Sequence, residues 1–454
     1  MLLPTSMCPA VDLPPNYVAA PLLELNDNGA WSWFMDERAI VQGENLIVGS
    51  VRSVGDFRAK EDDPQWGNIE ISVWNLKTGA TEVRVLHPHL EQDDHNGPAL
   101  LALPDGRILA VYSKHGQETK IYYTHSAPDD PRRWSQPAEF VTPGKAESFG
   151  ADSVTYSNLF RLDGGRIINF FRGVGHDPNY MYSDDDGKNW NYGGRLMRGR
   201  DGYSPYLKYV ADREGAIHFV ATEDHPRQFD NSLYHGQIRG EQLLLSDGSP
   251  KGSFSHTSET ALSTWDFTRV YAGDPDNVAW MVDIELDSQS RPVILFSIQK
   301  DGRGLPARQG GMDLRYCVAR WDGKDWQWEE IAHAGTRLYP YEDDYSGLGA
   351  IVPGDPDRIF ISTNADPTTG EPLISSADKK RHYELFEGRR DGATQTWSWT
   401  PFTANSDSDN LRPLIPKQTD YGTVMVWMRG TYRHNRGNWA TKVVGAKLSS
   451  DHEK

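Results

Sequence analysis

Apolar residues along this chain fall in short alternating runs separated by polar turns, the period-2 pattern of β-strands, and no stretch keeps a helical period over three turns. The runs come in pairs. Seven pairs of the form strand, polar turn, strand can be laid over one another: 33–52, 95–115, 155–173, 202–222, 279–299, 345–364 and 411–430. Consecutive copies start roughly 45 to 80 residues apart, the spacing of propeller blades that each carry four strands. The pattern therefore predicts an all-β, seven-bladed β-propeller with four-stranded antiparallel blades. The runs IEISVWNL, KIYYTHS, NYMYSD, SLYHGQI, LRYCVARW and YELFEGRR are expected as solvent-side strands. Residues 1–16 are Pro-rich and read as an irregular lead, and 17–450 as a single propeller domain. After the seventh hairpin only one strand-like run remains, 440–448, so the run at 17–25 is expected to complete the last blade and close the ring.

Composition refines this picture without changing it. The 454 residues include 15 Trp and 42 Gly, enough for a large core in a turn-rich fold. The net charge of −17 argues against a nucleic-acid partner. No apolar run approaches the roughly 18 residues needed to span a bilayer, so no membrane association is expected, and the protein is expected to be a monomer. Cys8 and Cys317 are the only cysteines, are not expected to pair, and form no zinc-ligand spacing. The N-terminus lacks a charged region followed by an apolar core, which reads as no signal peptide and a cytoplasmic protein, unless a secreted precursor has been trimmed. One turn, Ser183 to Trp190 (SDDDGKNW), fits the Asp-box pattern, with looser versions at 321–326 and 391–397. Its aspartate, glycine and tryptophan suit a tight outer turn, so its role is read as structural.

The chemistry concentrates at the hairpin ends. In a propeller the start of the first strand and the end of the second reach the same face, where ends from different blades converge. They are His95 and His115 from the second hairpin, Tyr156 and Arg172 from the third, Tyr203 from the fourth, Tyr345 from the sixth, and Arg412 and Arg429 from the seventh. Histidines, tyrosines and arginines around one depression suit anion binding and proton transfer. His225 and His235, near Asp224 and Arg227, are weaker candidates for a structural divalent metal. The acidic pairs Asp62-Asp63, Asp93-Asp94 and Asp343-Asp344 could supply glycosidase carboxylates but read better as solvated turns.

Several stretches, DNGAWSWFMDERAI at 27–40, YSPYLKY, DHPR with NSLYH, YSGLGAIVPGDPDRIFIST and NSDSDNLRPLIP, give the chain a resemblance to the BNR-repeat propellers that include ulvan lyases, rhamnosyl-glucuronate lyases and related α-L-rhamnosidases. The lyases' pattern of two histidines on one hairpin and a tyrosine and arginine on the next matches His95, His115, Tyr156 and Arg172. The resemblance implies β-elimination at a uronate within an L-rhamnosyl-(1→4)-glucuronate type of glycan, with no cofactor required. Arg172 would neutralise the carboxylate, helped by Arg227 and Arg337, while Tyr203, Tyr345 and Arg412 would bind substrate. His115, Tyr156 and His95 would carry the proton transfers, and the sequence leaves open which is base and which acid. An α-L-rhamnosidase-like hydrolase and a non-catalytic glycan-binding propeller are the alternatives.

Overall fold

The computed structural model describes residues 13–55, 61–200, 202–254, 262–302, 304–306, 308–417 and 420–448. Cys8 and most of the N-terminal lead lie outside the described residues. Seven antiparallel sheets follow one another as blades, built on the seven predicted hairpins. Their inner strand pairs are Ala39–Gln42 with Asn45–Val51, Ala99–Ala102 with Ile108–Ser113, Thr155–Arg161 with Ile167–Arg172, Tyr206–Ala211 with Ile217–Thr222, Val278–Leu286 with Pro292–Gln299, Gly349–Val352 with Asp355–Thr363, and Asp409–Leu414 with Val424–His434. The fourth blade is enlarged by short strands at Gln242–Leu244, Pro250–Ser253 and Thr268–Tyr271. Helix among the described residues is limited to three single 3-10 turns, at Asp94–Asn96, Val174–His176 and Thr264–Asp266.

The ring closes as expected, with one difference in register. Leu23–Asn26 adds to the long last strand Asn438–Lys447 and completes the seventh blade. The start of the N-terminal run goes elsewhere: Tyr17 and Val18 pair with Ala404 and Thr403 beside the sixth blade. A second difference concerns the strands read as solvent-facing. Ile69–Asn75, Leu314–Trp321 and their counterparts are third strands, each covered by a fourth, and most of their residues are buried. Apolar alternation alone does not separate a covered third strand from an exposed edge. Cys317 lies in such a strand and is fully buried.

The outer turn at Ser183 to Trp190 is built as its sequence implies. Asp185 accepts from the Asn189 backbone N–H at 2.9 Å, Ser183 Oγ accepts from the Gly187 N–H at 2.9 Å, and Gly187 has φ 79°. The Trp190 indole donates to the Gly187 carbonyl and packs into the blade core. The channel side is filled by the segment Trp31–Asp36, which precedes the first hairpin. Phe34 meets Tyr156, Tyr206 and Trp280 with ring centroids 5.1–5.4 Å apart, and Trp33 meets Tyr345 at 4.6 Å. This aromatic cluster supports the side chains at one face.

Candidate functional site

His95, His115, Tyr156 and Arg172 converge on that face. The mechanism of convergence differs from a simple hairpin pairing. His95 lies in the 3-10 turn Asp94–Asn96, ahead of the strand, and His115 follows the end of the return strand. What joins them is Asp93: its Oδ1 lies 2.6 Å from His95 Nδ1 and its Oδ2 lies 2.8 Å from His115 Nδ1. The two imidazoles stack with centroids 3.9 Å apart and planes 15° off parallel. Tyr156 comes from a bulge at the start of its strand, with φ 69°, a conformation that costs a bulky side chain energy and that places its ring 5.4 Å from His95. The Arg172 guanidinium sits 5.1 Å from the Tyr156 ring and 5.6 Å from the Tyr206 ring, donating to the Tyr206 hydroxyl at 2.9 Å. Its Nε is buried without a partner. Its second terminal nitrogen donates to the Thr155 hydroxyl at 3.4 Å.

A second tier holds the histidines. Asp94 Oδ1 lies 2.8 Å from His95 Nδ1, while its Oδ2 accepts from Arg412 at 2.5 Å and from the Tyr432 hydroxyl at 2.6 Å. Glu91 accepts from the His115 backbone N–H and from Asn96. The electrostatic outcome is asymmetric. Burial pulls His95 down, but Asp93 and Asp94 outweigh it and raise its pKa to about 9. For His115, burial together with the neighbouring His95 outweighs Asp93 and lowers the pKa to about 4. The pair therefore keeps one proton above neutral pH and refuses a second until the solution is acidic. Burial raises the Asp93 carboxyl, yet His115 and His95 more than reverse this and hold it well below the usual carboxylate range. Burial pushes the Tyr156 hydroxyl well above its ordinary value, so it is protonated at neutral pH.

The remaining sequence candidates divide. Tyr345 joins the floor of the site, its hydroxyl 2.8 Å from Nε2 of buried His225. Arg227 is at the rim, paired with Glu342, whose carboxyl burial raises to about 7 against the pull of Arg227. Arg337 is turned into the scaffold, donating to Asp343 at 2.6 Å and to the Arg308 and Gly310 carbonyls. Arg412 is 1% exposed beneath Asp94, so its role is to fix that carboxylate, not to touch a ligand on the face. Tyr203 packs on Phe229 outside the cluster, and Tyr206, at the true start of that strand, occupies the place expected for it. Arg429 bonds Asn16. His225 and His235 do not form a joint metal site: His225 bonds Tyr345, whereas His235 bonds His218 and Ser246 inside the fourth blade. Among the described residues the group with metal-ligand proximity is Asp93, His95 and His115.

Sequence reasoning missed Asp93, Asp94 and Tyr206. Both aspartates were read as a solvated turn and are instead buried to 1% and 0% exposure, as are Asp343 and Asp344 to 8% and 4%. The available signal was the run Glu91 to His95, three carboxylates directly before a histidine already selected for chemistry.

The profile of the BNR repeat-containing family matches residues 58–334, more than half of the chain. A search of curated proteins gives no match. Among solved structures, a PL25 ulvan lyase superposes with a TM-score of 0.64 at 15% identity, covering 92% of this chain and 94% of that one. The same values hold for a PL25 ulvan lyase bound to -[GlcA(1-4)Rha3S]-. The polysaccharide lyase Uly1 superposes with a TM-score of 0.57 at 11% identity, covering 95% and 100% of the two chains. At these identities the superpositions speak for the fold, and with the profile match the chain belongs to the BNR repeat-containing family, BNR_4, as a seven-bladed β-propeller.

Proposed function

We propose that the protein is a polysaccharide lyase that cleaves the bond to O4 of a uronate by β-elimination. The observation that carries this reading is one neutral and one cationic histidine on a shared aspartate, beside a protonated tyrosine and the guanidinium of Arg172. Arg172 binds the uronate carboxylate, lowering the charge that would otherwise oppose loss of the C5 proton. His115, whose Nδ1–H is committed to Asp93, presents Nε2 as the base that takes this proton. The C5–H electron pair forms the C4–C5 double bond, the C4–O4 bond breaks, and Tyr156 protonates the departing oxygen. The His95 imidazolium and Arg172 together stabilise the enolate-like charge that develops between these events. One structural relative is bound to an alternating glucuronate and sulfated rhamnose, a uronate glycan of this kind, which supports the choice of glycan.

A hydrolase is the second reading, favoured by one feature: Glu342, held near neutral pKa with its Oε2 buried and unpartnered, is suited to act as a general acid. Incubation with a series of uronate-containing polysaccharides separates the two. The lyase reading expects an unsaturated uronyl product absorbing at the ultraviolet edge, and a reducing sugar without a new double bond overturns it.

A further inference from the structure

Beside His115 the face opens into a depression of about 780 Å³, within the range of roughly 300 to 1,000 Å³ in which small-molecule sites fall. Its wall includes Trp66, tilted against His89 with ring centroids 5.0 Å apart, and Phe149, whose ring lies 5.8 Å from His115. Phe149 is 47% exposed, a large apolar surface to leave in water. It is nevertheless held in place. Its backbone has φ 53°, its N–H donates to the Gly116 carbonyl at 2.5 Å, and its ring edge packs 3.1 Å from where a Cβ on Gly116 would stand. A strained backbone fixed by its surroundings and presenting an exposed aromatic ring is the arrangement of a binding surface rather than of a core. Over the same ring lies the guanidinium of Arg436, 4.7 Å from the centroid and delivered by the turn between the last two strands. Among the described residues the one ion-pair contact of Arg436 is Nε to Asp93 Oδ2 at 4.0 Å, and both oxygens of that carboxylate are already taken by His95 and His115. Lys114 adds a second cation on the wall, near Glu118 at 3.8 Å.

We propose that Phe149 and Arg436 form a subsite for a further acidic sugar of the same glycan, adjacent to the unit whose bond is broken. This deepens the lyase reading and rests on it. The ring stacks on the C–H face of the sugar, and the guanidinium binds its anionic group or hydroxyls. The subsite therefore makes the enzyme prefer longer chains, because a substrate too short to reach Phe149 forgoes that contact. It also draws attention to one side of the histidine pair: the polymer must leave the centre past His115.

The test uses oligosaccharides of alternating glucuronate and sulfated rhamnose, in which the sugar next to each glucuronate is itself anionic, at lengths of two, four and six sugars with the wild type, Phe149→Ala and Arg436→Gln. The expected result is a wild-type kcat/KM that rises with length, and variants whose KM rises about tenfold on the hexasaccharide while kcat moves less than about threefold. The pH limbs of the variants should coincide with those of the wild type. Equal losses at every length, or shifted limbs, would make Phe149 and Arg436 mere supports of His115 and overturn the subsite, as would variants that match the wild type throughout. Failure of the lyase reading looks different: the wild type then releases reducing sugar, or nothing. In either case calorimetric titration of the hexasaccharide into the wild type and Phe149→Ala still decides the subsite, since equal affinities dismiss it.

Discussion

Two stacked pairs of histidines occupy this propeller, and comparing them shows what makes one a candidate for chemistry. His95 and His115 share Asp93 at the open face, their centroids 3.9 Å apart. His218 and His235 stack at 5.3 Å inside the fourth blade, joined Nδ1 to Nε2 at 3.2 Å, with Ser246 Oγ and the edge of Trp326 as their other neighbours. Burial lowers the pKa of His218 to about 4 and that of His235 well below its usual value, and neither touches a carboxylate. The inner pair is neutral and satisfied. The outer pair is buried too, yet Asp93 and Asp94 keep a proton on it, so one ring can give a proton while the other can take one. Burial alone silences an imidazole pair, and a shared carboxylate turns the same stack into a proton-handling device.

The sharpest way to break this contrast is Asp93→Asn. An amide can accept from one histidine Nδ1–H, but toward the other it presents a donor, which forces that ring to carry its proton on Nε2 and so removes either the base at His115 or the cation at His95. We expect kcat to fall about 10³- to 10⁴-fold. The histidine pair should also lose its proton at lower pH, followed by NMR titration of the imidazole resonances. Retained turnover with an unchanged titration would show that Asp93 does not set the pair. Next in size is Arg172→Lys, which keeps the charge but loses the fork, and should cost about a hundredfold in turnover on a uronate. A wild type that cleaves carboxyl-reduced glycan at the native rate would remove the reason for this arginine.

His95 of the outer pair and His218 of the inner pair should respond to pH with opposite signs. His95 is raised from 6.5 to about 9 in the folded protein, so its contribution to stability is complete below pH 6.5 and is lost as pH rises toward 9. His218 is depressed from 6.5 to about 4, so the unfolded chain binds more protons in that interval, and its contribution is present above pH 6.5 and lost as pH falls toward 4. Thermal melts across pH should therefore show Asp93→Asn approaching the wild type on the alkaline side, and His218→Gln approaching it on the acid side. Turnover should follow a bell with limbs near 4 and 9, belonging to the outer pair as a unit.

The blade pattern was legible because strand alternation and turn chemistry are local, and seven repetitions of a local signal leave little freedom. The four central side chains were legible for the same reason, since hairpin ends in a propeller share a face. What escaped was burial. The run Glu91 to His95 signals its chemistry by placing carboxylates beside a candidate histidine, but it does not carry the burial itself, which is made by Arg412 and Tyr432, more than 300 residues away in the chain. Arg412 was misplaced for the converse reason: its hairpin-end position suggested the face, while Asp94 draws it under. Tyr203 and Tyr206 lie three residues apart, and only the start of the strand at Tyr206 decides which of them meets Arg172.

The smallest expected effect on activity is also the cleanest control. His235 is fully buried, so His235→Ala opens a cavity and strips Ser246 and His218 of a partner. Together these should cost about 2 to 4 kcal/mol of stability. Ser246 keeps the Trp326 indole N–H at 2.9 Å, which limits the damage to the fourth blade. Tyr206 stands on the adjoining strand pair, so a collapse of the blade would reach Arg172 and be seen as lost turnover. We expect the midpoint of denaturant unfolding to fall while kcat stays within about twofold of the wild type at a temperature where the variant is folded. If turnover instead falls in proportion to the outer-pair variants, the inner histidines are coupled to the chemistry, and burial without a carboxylate is not the dividing line between the two pairs.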